Sequence, residues 1–186
     1  MKTKFYSSTT FSTKYNDYCA IKNTSFCKLN AEITYTNILI HIIKENKNLP
    51  DYAEKIKNSL NEPFSCIDKP DISLLDYLKR ILKYTKIEFS TLILSMIYLD
   101  RICKEKIFLN EFNIHRIMFI SILMAYYYNE DCTNNTKYLA KVSGINLKEM
   151  ILLEKIFAEL IEFNFFVDEK IFDQYKKYFL IEIGDR

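Results

Sequence analysis

Glycine is nearly missing from this chain: only Gly144 and Gly184 occur in 186 residues. Without glycines in series, neither a GxGxxG nor a GxxxxGK[ST] loop can be written, which removes the usual backbone cradles for phosphate. No GxSxG nucleophile turn occurs either. Histidine is as scarce, with His41 and His115 outside any HExxH or HxH spacing. The five cysteines, at 19, 27, 66, 103 and 132, form no CxxC. Zinc sites need paired cysteines or grouped histidines, so no metal is expected. An odd number of scattered cysteines reads as free thiols in a reducing compartment. Serine, threonine and aspartate are plentiful, yet no spacing singles out a nucleophile. The acid pair Glu130-Asp131 falls at a helix end, where solvated capping is the default. The expectation is a protein that is not an enzyme and needs no cofactor.

A marked excess of one charge is missing too. Twenty-six basic residues face 24 acidic ones, for a net charge of +2. A dedicated polyanion binder concentrates basic residues, so no nucleic acid partner is expected. The longest apolar run, Ile117 to Tyr128 with Ser121 inside it, is too short to span a bilayer. No membrane association is expected. The first sixteen residues carry Lys2, Lys4 and Lys14, no acid and no apolar signal stretch. Residues 1–30 are therefore expected to form a disordered tail, on an intracellular protein of the cytoplasm, the nucleus or both.

What is present is apolar and helical in its spacing. Hydrophobic residues make up 49% of the chain, enough for a real core. All three prolines, Pro50, Pro63 and Pro70, precede residue 71, and the stretch beyond suits helices joined by short polar turns. Ile38, Leu39, Ile42 and Ile43 mark a first helix over 31–47, with a short one possible at 51–60. Five more follow. Ser73 with Asp76 resembles a capping box and opens a helix to about Lys83. Ser90 can cap the next, where Leu92, Met96, Leu99 and Cys103 share a face. Asn110 can cap a third, apolar nearly all round and so central in the fold. Asn134-Asn135 starts a short fourth helix that Gly144 would stop. Asn146 with Glu149 caps a fifth, whose face runs Met150, Leu153, Phe157, Leu160. Asp168 can cap a last helix carrying Ile171, Phe172, Tyr175 and Phe179. No strand is expected.

Several strings in these helices resemble one family. Asp76-Tyr77-Leu78-Lys79-Arg80-Ile81 is similar to the "DYLxRI" of the P-type (phosphate-signalling) and U-type cyclins. Ile97-Tyr98-Leu99-Asp100-Arg101 matches the "IYLDR" of cyclin boxes broadly. Asn113 to Met118 resembles their "NxHRLL", and Asn135 to Gly144 their "NAYYAKVGG". Leu153-Glu154 with Phe157 resembles "LExxFL", and Phe163 and Phe165 echo the "LDFxLxV" ending. The strings come in order from 71 to 180, on the same five helices.

The resemblance implies an all-α fold, a single five-helix cyclin box with an additional N-terminal helix and a C-terminal helix. The organisation would be a tail at 1–30, an N-terminal helix and linker at 31–69, and the box with its C-terminal helix at 70–182. It implies a regulatory subunit that binds and activates a cyclin-dependent kinase as a heterodimer. The alternative is a cyclin-fold scaffold or transcription-related module that activates no kinase. Carried over by position, the kinase interface would comprise Glu154, Tyr127, Tyr128, Phe163, Phe165 and Asp131. The family's lysine in "AAKFLDD" is Tyr127 here, which can donate a hydrogen bond but supplies no cation. Asp100 reads either as an exposed acid or as the partner of Arg80, a pair that would fix helix register.

Overall fold

The computed structural model describes residues 25–60, 62–103, 106–131 and 133–184, with side chains from residue 31 to 179. The described residues form eight α-helices and no strand: α1 Ser25–Lys47, α2 Tyr52–Ser59, α3 Leu74–Thr85, α4 Phe89–Cys103, α5 Ile114–Asn129, α6 Thr136–Ser143, α7 Leu147–Leu160 and α8 Glu169–Gly184. Helices α3 to α7 are the five expected from the capping and periodicity signals. The proposed tail lies outside the described residues up to position 24, and α1 already begins at Ser25, earlier than its apolar periodicity indicated.

Most of the predicted caps form. Ser73 accepts from the Asp76 backbone N–H at 3.1 Å, and its hydroxyl donates to the Asp76 carboxylate at 2.6 Å. Asn135, Asn146 and Asp168 accept backbone N–H groups at the starts of α6, α7 and α8. Each satisfies one of the donors that a helix N-terminus leaves without an internal partner. Gly144 ends α6 with φ of 76°, a left-handed conformation that costs glycine nothing.

Two caps differ from expectation. Helix α4 starts at Phe89, ahead of Ser90, and its first turn is capped from another helix. The Glu130 carboxylate accepts from the Glu88 N–H at 3.0 Å and from the Thr91 hydroxyl at 2.6 Å. A carboxylate at a helix N-terminus also meets the positive end of the helix dipole. Asn110 does not cap α5, which begins after Asn113. Fully buried, Asn110 instead knots the preceding loop, bonding the Ser59 hydroxyl, the Phe108 carbonyl and the Phe112 N–H.

Helices α4 and α5 lie side by side at the centre. Helix α5 is central, as expected, but α4 departs from its one-faced pattern: every residue from Thr91 to Asp100 is buried. Helices α1 and α8 supply the extra cover. Phe179 of α8 stacks edge-on to Phe89, with centroids 6.0 Å apart, and also meets Tyr35 of α1. The Tyr35 hydroxyl lies 3.0 Å from Ser95 Oγ in α4, so this buried phenol has a polar partner. One apolar cluster thus includes Tyr35 and Leu39, the five central helices and Phe179.

The Arg80–Asp100 pair does not form, because each side chain has another partner. Arg80 is exposed on α3 and donates to the Lys141 carbonyl at the end of α6, at 3.0 Å. Asp100 is buried in α4 and accepts from the Tyr175 hydroxyl of α8 at 2.6 Å. Helix α8 covers a carboxylate that was expected either to be exposed or to pair with Arg80. Cys66 and Cys103 are free thiols; the other three cysteines have no described side chain.

Candidate functional site

The end of α5, the middle of α7 and the turn after α7 carry the residues singled out in the sequence. The end of α5 is fixed by its links to the start of α4. Besides the Glu130 cap, the Asn129 amide donates to the hydroxyls of Ser90 and Thr91, both at 3.0 Å. The preceding turn of α5 is the tyrosine run. Tyr126 is buried, Tyr127 is half-buried, and Tyr128 is exposed.

Tyr127 and Glu154 meet across α5 and α7. The Tyr127 hydroxyl donates to Glu154 Oε1 at 3.5 Å, a long bond. Glu154 makes no ion pair among the described residues, since the family's lysine position holds this neutral phenol. Partial burial pushes the Glu154 carboxyl above its usual range, and the tyrosine bond offsets only part of that. The same burial, together with the nearby carboxylate, pushes the Tyr127 phenol up to about 12. The outcome is a half-buried acid with spare acceptor capacity at a surface.

The turn after α7 is where the structure adds most. Glu162 and Phe163 have φ of 56° and 55°, left-handed values that non-glycine residues rarely adopt. The reversal is closed by the Phe163 N–H, which donates to the Ala158 carbonyl at 2.8 Å. Three side chains from α4 and the loop after it then hold the backbone. The Tyr98 hydroxyl donates to the Phe165 carbonyl at 2.8 Å. The Arg101 guanidinium donates to the carbonyls of Asn164 and Phe166, at 2.6 and 2.9 Å. Lys106 donates to the Leu160 carbonyl at 2.6 Å and pairs with Glu162 at the same distance. Strained backbone persists where its surroundings over-determine it.

The strain and the pins set the directions of three phenylalanines. Phe165 points inward as a prop, with its ring 5.7 Å from that of Tyr98 and 6.3 Å from that of Tyr128. Phe163 and Phe166 point out, with 67% and 68% of their surface exposed. On α7, Ile151 is also exposed, one turn before Glu154 on the same stripe. Exposed aromatic surface on this turn, joined through the Phe165–Tyr128 contact to the end of α5 where Tyr127 meets a half-buried acid, has the composition of a protein-binding patch.

Of the six interface residues expected, Glu154 and Tyr127 touch each other, and Tyr128 stacks on Phe165. Phe163 presents its face to solvent, Phe165 supports from behind, and Asp131 stands exposed just past the end of α5. The sequence reading missed Phe166, which the "LDFxLxV" comparison passed over. It also missed Arg101 and Lys106 and gave Tyr98 no role beyond its place in the "IYLDR" string. The signal for Tyr98 and Arg101 was on the page. They flank Leu99-Asp100 in the "IYLDR" string, and three polar-capable residues on a buried helix need partners. Tyr98 and Arg101 hold the turn; Asp100, between them in sequence, holds α8.

The cyclin family model matches residues 2–165, most of the chain. Among curated proteins, Cyclin-U4-3 of Arabidopsis thaliana is 37% identical over 140 residues, covering 74% of this chain and 61% of that protein. Cyclin-P4-1 of Oryza sativa subsp. japonica is 35% identical over 114 residues, 60% of this chain and 54% of its own length. The PHO85 cyclin-like protein psl1 of Schizosaccharomyces pombe is 37% identical over 115 residues, 59% of this chain and 47% of its own. The chain spans about half to three fifths of the length of the curated relatives it matches. With the five helices in family order and the "IYLDR" residues anchoring both the turn and α8, the chain belongs to the cyclin family, on its P- and U-type side.

Proposed function

We propose that this chain binds a cyclin-dependent kinase through the patch formed by α5, α7 and the turn after α7, and activates it. The observation that carries the reading is the pinned turn: four hydrogen bonds from Tyr98, Arg101 and Lys106 hold a strained backbone that exposes Phe163 and Phe166, while Phe165 of the same turn meets Tyr128 at the end of α5. A soluble surface gains nothing from two such aromatics unless a partner covers them. By family resemblance the partner element is the kinase's mobile C-helix. Packing there would swing that helix inward and complete the Lys–Glu ion pair of the kinase. The chain would bias a two-state kinase and perform no chemistry itself. The complex would act inside the cell, in the cytoplasm, the nucleus or both.

The test is co-purification with a cyclin-dependent kinase catalytic subunit, followed by phosphoryl transfer from ATP to a peptide substrate. The expected result is a heterodimer with activity well above that of the kinase alone. Tyr127 favours a second reading, a scaffold that binds without activating, because the lysine the family uses at this contact is absent. A stable complex whose kinase is no more active than the free subunit would establish that reading. Loss of the complex altogether would remove both.

A further inference from the structure

A second surface lies between α3 and α6. These helices run antiparallel, stitched by three hydrogen bonds from α3 and α6 side chains to backbone carbonyls. Tyr77 donates to the Ser143 carbonyl at 2.9 Å, Arg80 to the Lys141 carbonyl at 3.0 Å, and Tyr138 to the Tyr84 carbonyl at 3.2 Å. Along this seam runs an open groove of about 600 Å³. Its walls are Lys79, Arg80 and Lys83 of α3 and Lys141 of α6, with the rings of Tyr84 and Tyr138; Val142 forms the floor. No acid lines it. In a chain with 26 bases and 24 acids, four cations around one groove without a carboxylate form a local concentration of charge.

The cations differ in how free they are. Lys79 shares its field with Glu32 of α1. Arg80 has one N–H on the Lys141 carbonyl, which leaves the rest of its donor fork unclaimed by that bond. The Lys83 ammonium sits 5.6 Å from the centre of the Tyr84 ring, held over an aromatic face at the rim. Lys141 also borders the neighbouring depression with Lys137 and Asn146, so the positive field continues along α6.

We infer that this groove binds a phosphorylated segment of a partner protein, the phosphate among Lys83, Arg80 and Lys141 and the flanking residues along Tyr84 and Tyr138. A phosphate brings close to two negative charges and three acceptor oxygens to one point. That suits a groove lined by cations from two helices, where an arginine fork and ammonium groups are both available to a phosphate. A nucleic acid would need the charge spread along an extended face, which the near-balanced chain does not offer. The exposed tyrosine rings add apolar walls that a peptide can use. This inference goes beyond kinase binding and uses a different face, so it stands whether or not a kinase binds at the turn after α7.

The experiment uses the purified chain without a kinase. A fluorescein-labelled peptide library with phosphoserine fixed at its centre and random flanks is presented to the immobilised chain, beside the same library with serine. The phosphoserine library is expected to be retained at least tenfold more, and less as salt rises. Lys83→Glu with Lys141→Glu should remove that preference. Lys176→Glu with Lys177→Glu on the exposed face of α8 makes the same change in net charge and should keep it within twofold. All four lysines are exposed, and circular dichroism checks that each variant remains helical. Equal retention of the two libraries overturns the inference, as does equal loss in both charge-reversed variants. Retention of only a single-stranded RNA or of phosphatidylserine vesicles would reassign the groove and overturn it too.

Discussion

Replacing Arg101 by alanine tests the central claim that the turn after α7 is held, not merely present. The guanidinium makes two bonds to backbone carbonyls, at 2.6 and 2.9 Å, and stands 5.9 Å from the Tyr98 ring. A charged donor to a carbonyl contributes about 1.5–3 kcal/mol when buried. These bonds are exposed, so water would take over much of the lost bonding, and about 1–2 kcal/mol for the pair is the reasonable figure. Against them stands the strain of two left-handed residues, about 1–2 kcal/mol each. Without Arg101 the turn keeps the Tyr98 and Lys106 bonds but loses much of its margin. Opening of the turn should become about tenfold more frequent, since 1.4 kcal/mol is a factor of ten. The assay is amide hydrogen exchange resolved by residue. The N–H groups of Phe163 and Phe165, bonded at 2.8 and 3.1 Å, should exchange about tenfold faster, while the core of α5 keeps its protection. Affinity for a partner that needs the closed turn should fall by the fraction of molecules that remain closed. Unchanged exchange at Phe163 and Phe165 would refute the reasoning, because the turn would then be set by its own backbone and not by α4.

The other predictions separate neighbouring roles. Phe163→Gly relieves left-handed strain at φ of 55° and removes an exposed ring, so thermal stability should hold or rise by up to about 1 kcal/mol while the proposed kinase binding is lost; a clear drop in Tm would contradict the strain argument. Tyr175→Phe removes the 2.6 Å bond to the buried Asp100 carboxylate and should cost about 1.5–3 kcal/mol in denaturant unfolding, with exchange rising first along α8. For Glu154 the carboxyl is raised in the free chain, so the folded state takes up a proton more readily than the unfolded one, and this group's contribution to stability falls as pH rises past the ordinary carboxylate range. A partner offering N–H groups or a base would lower that pKa and expel the proton. Complex affinity should therefore rise with pH through the acid range, and Glu154→Gln should flatten the profile; an unchanged slope in the variant would assign the titration elsewhere.

How much of this was legible in the sequence depended on whether a feature was local. Ser73, Asn135, Asn146, Asp168 and Gly144 act within a few residues of themselves, and the structure uses each one as its type and position indicate. The misses on α4 share a cause: the partner was distant in the chain. Glu130 caps α4 from about forty residues away, so Ser90, the nearest capping residue by type, was taken instead. Asp100 was read as an exposed acid or as the partner of Arg80 on the adjacent helix, because charge complementarity is visible in one dimension. The closer partner was a tyrosine, 75 residues on. Periodicity gave α4 a single apolar face because it could not register a polar residue such as Ser95 buried by a hydrogen bond to Tyr35 of α1. Of the candidate site, position in the family pattern placed Glu154 and Tyr127 together. It could not show that Phe165 turns inward while Phe163 and Phe166 turn out, since that depends on dihedral angles at Glu162 and Phe163.

The "IYLDR" residues join these points. On a helix, Tyr98 and Arg101 are three apart and share a stripe, and Asp100 falls on another. The first stripe faces the turn after α7; the second faces α8. A helix buried this completely by apolar packing alone could slide or rotate against its neighbours at small cost, since one apolar contact resembles another. Polar groups with a single geometry remove that freedom: Tyr98 to Phe165, Arg101 to Asn164 and Phe166, and Asp100 to Tyr175 each fit one rotation and one height of α4. Because α4 also carries the Glu130 cap from α5, the same helix fixes both sides of the patch, the tyrosines at the end of α5 and the phenylalanines after α7. Relative placement of Glu154, Tyr127 and Phe163 is then a property of α4, a helix that supplies none of the exposed side chains of the patch.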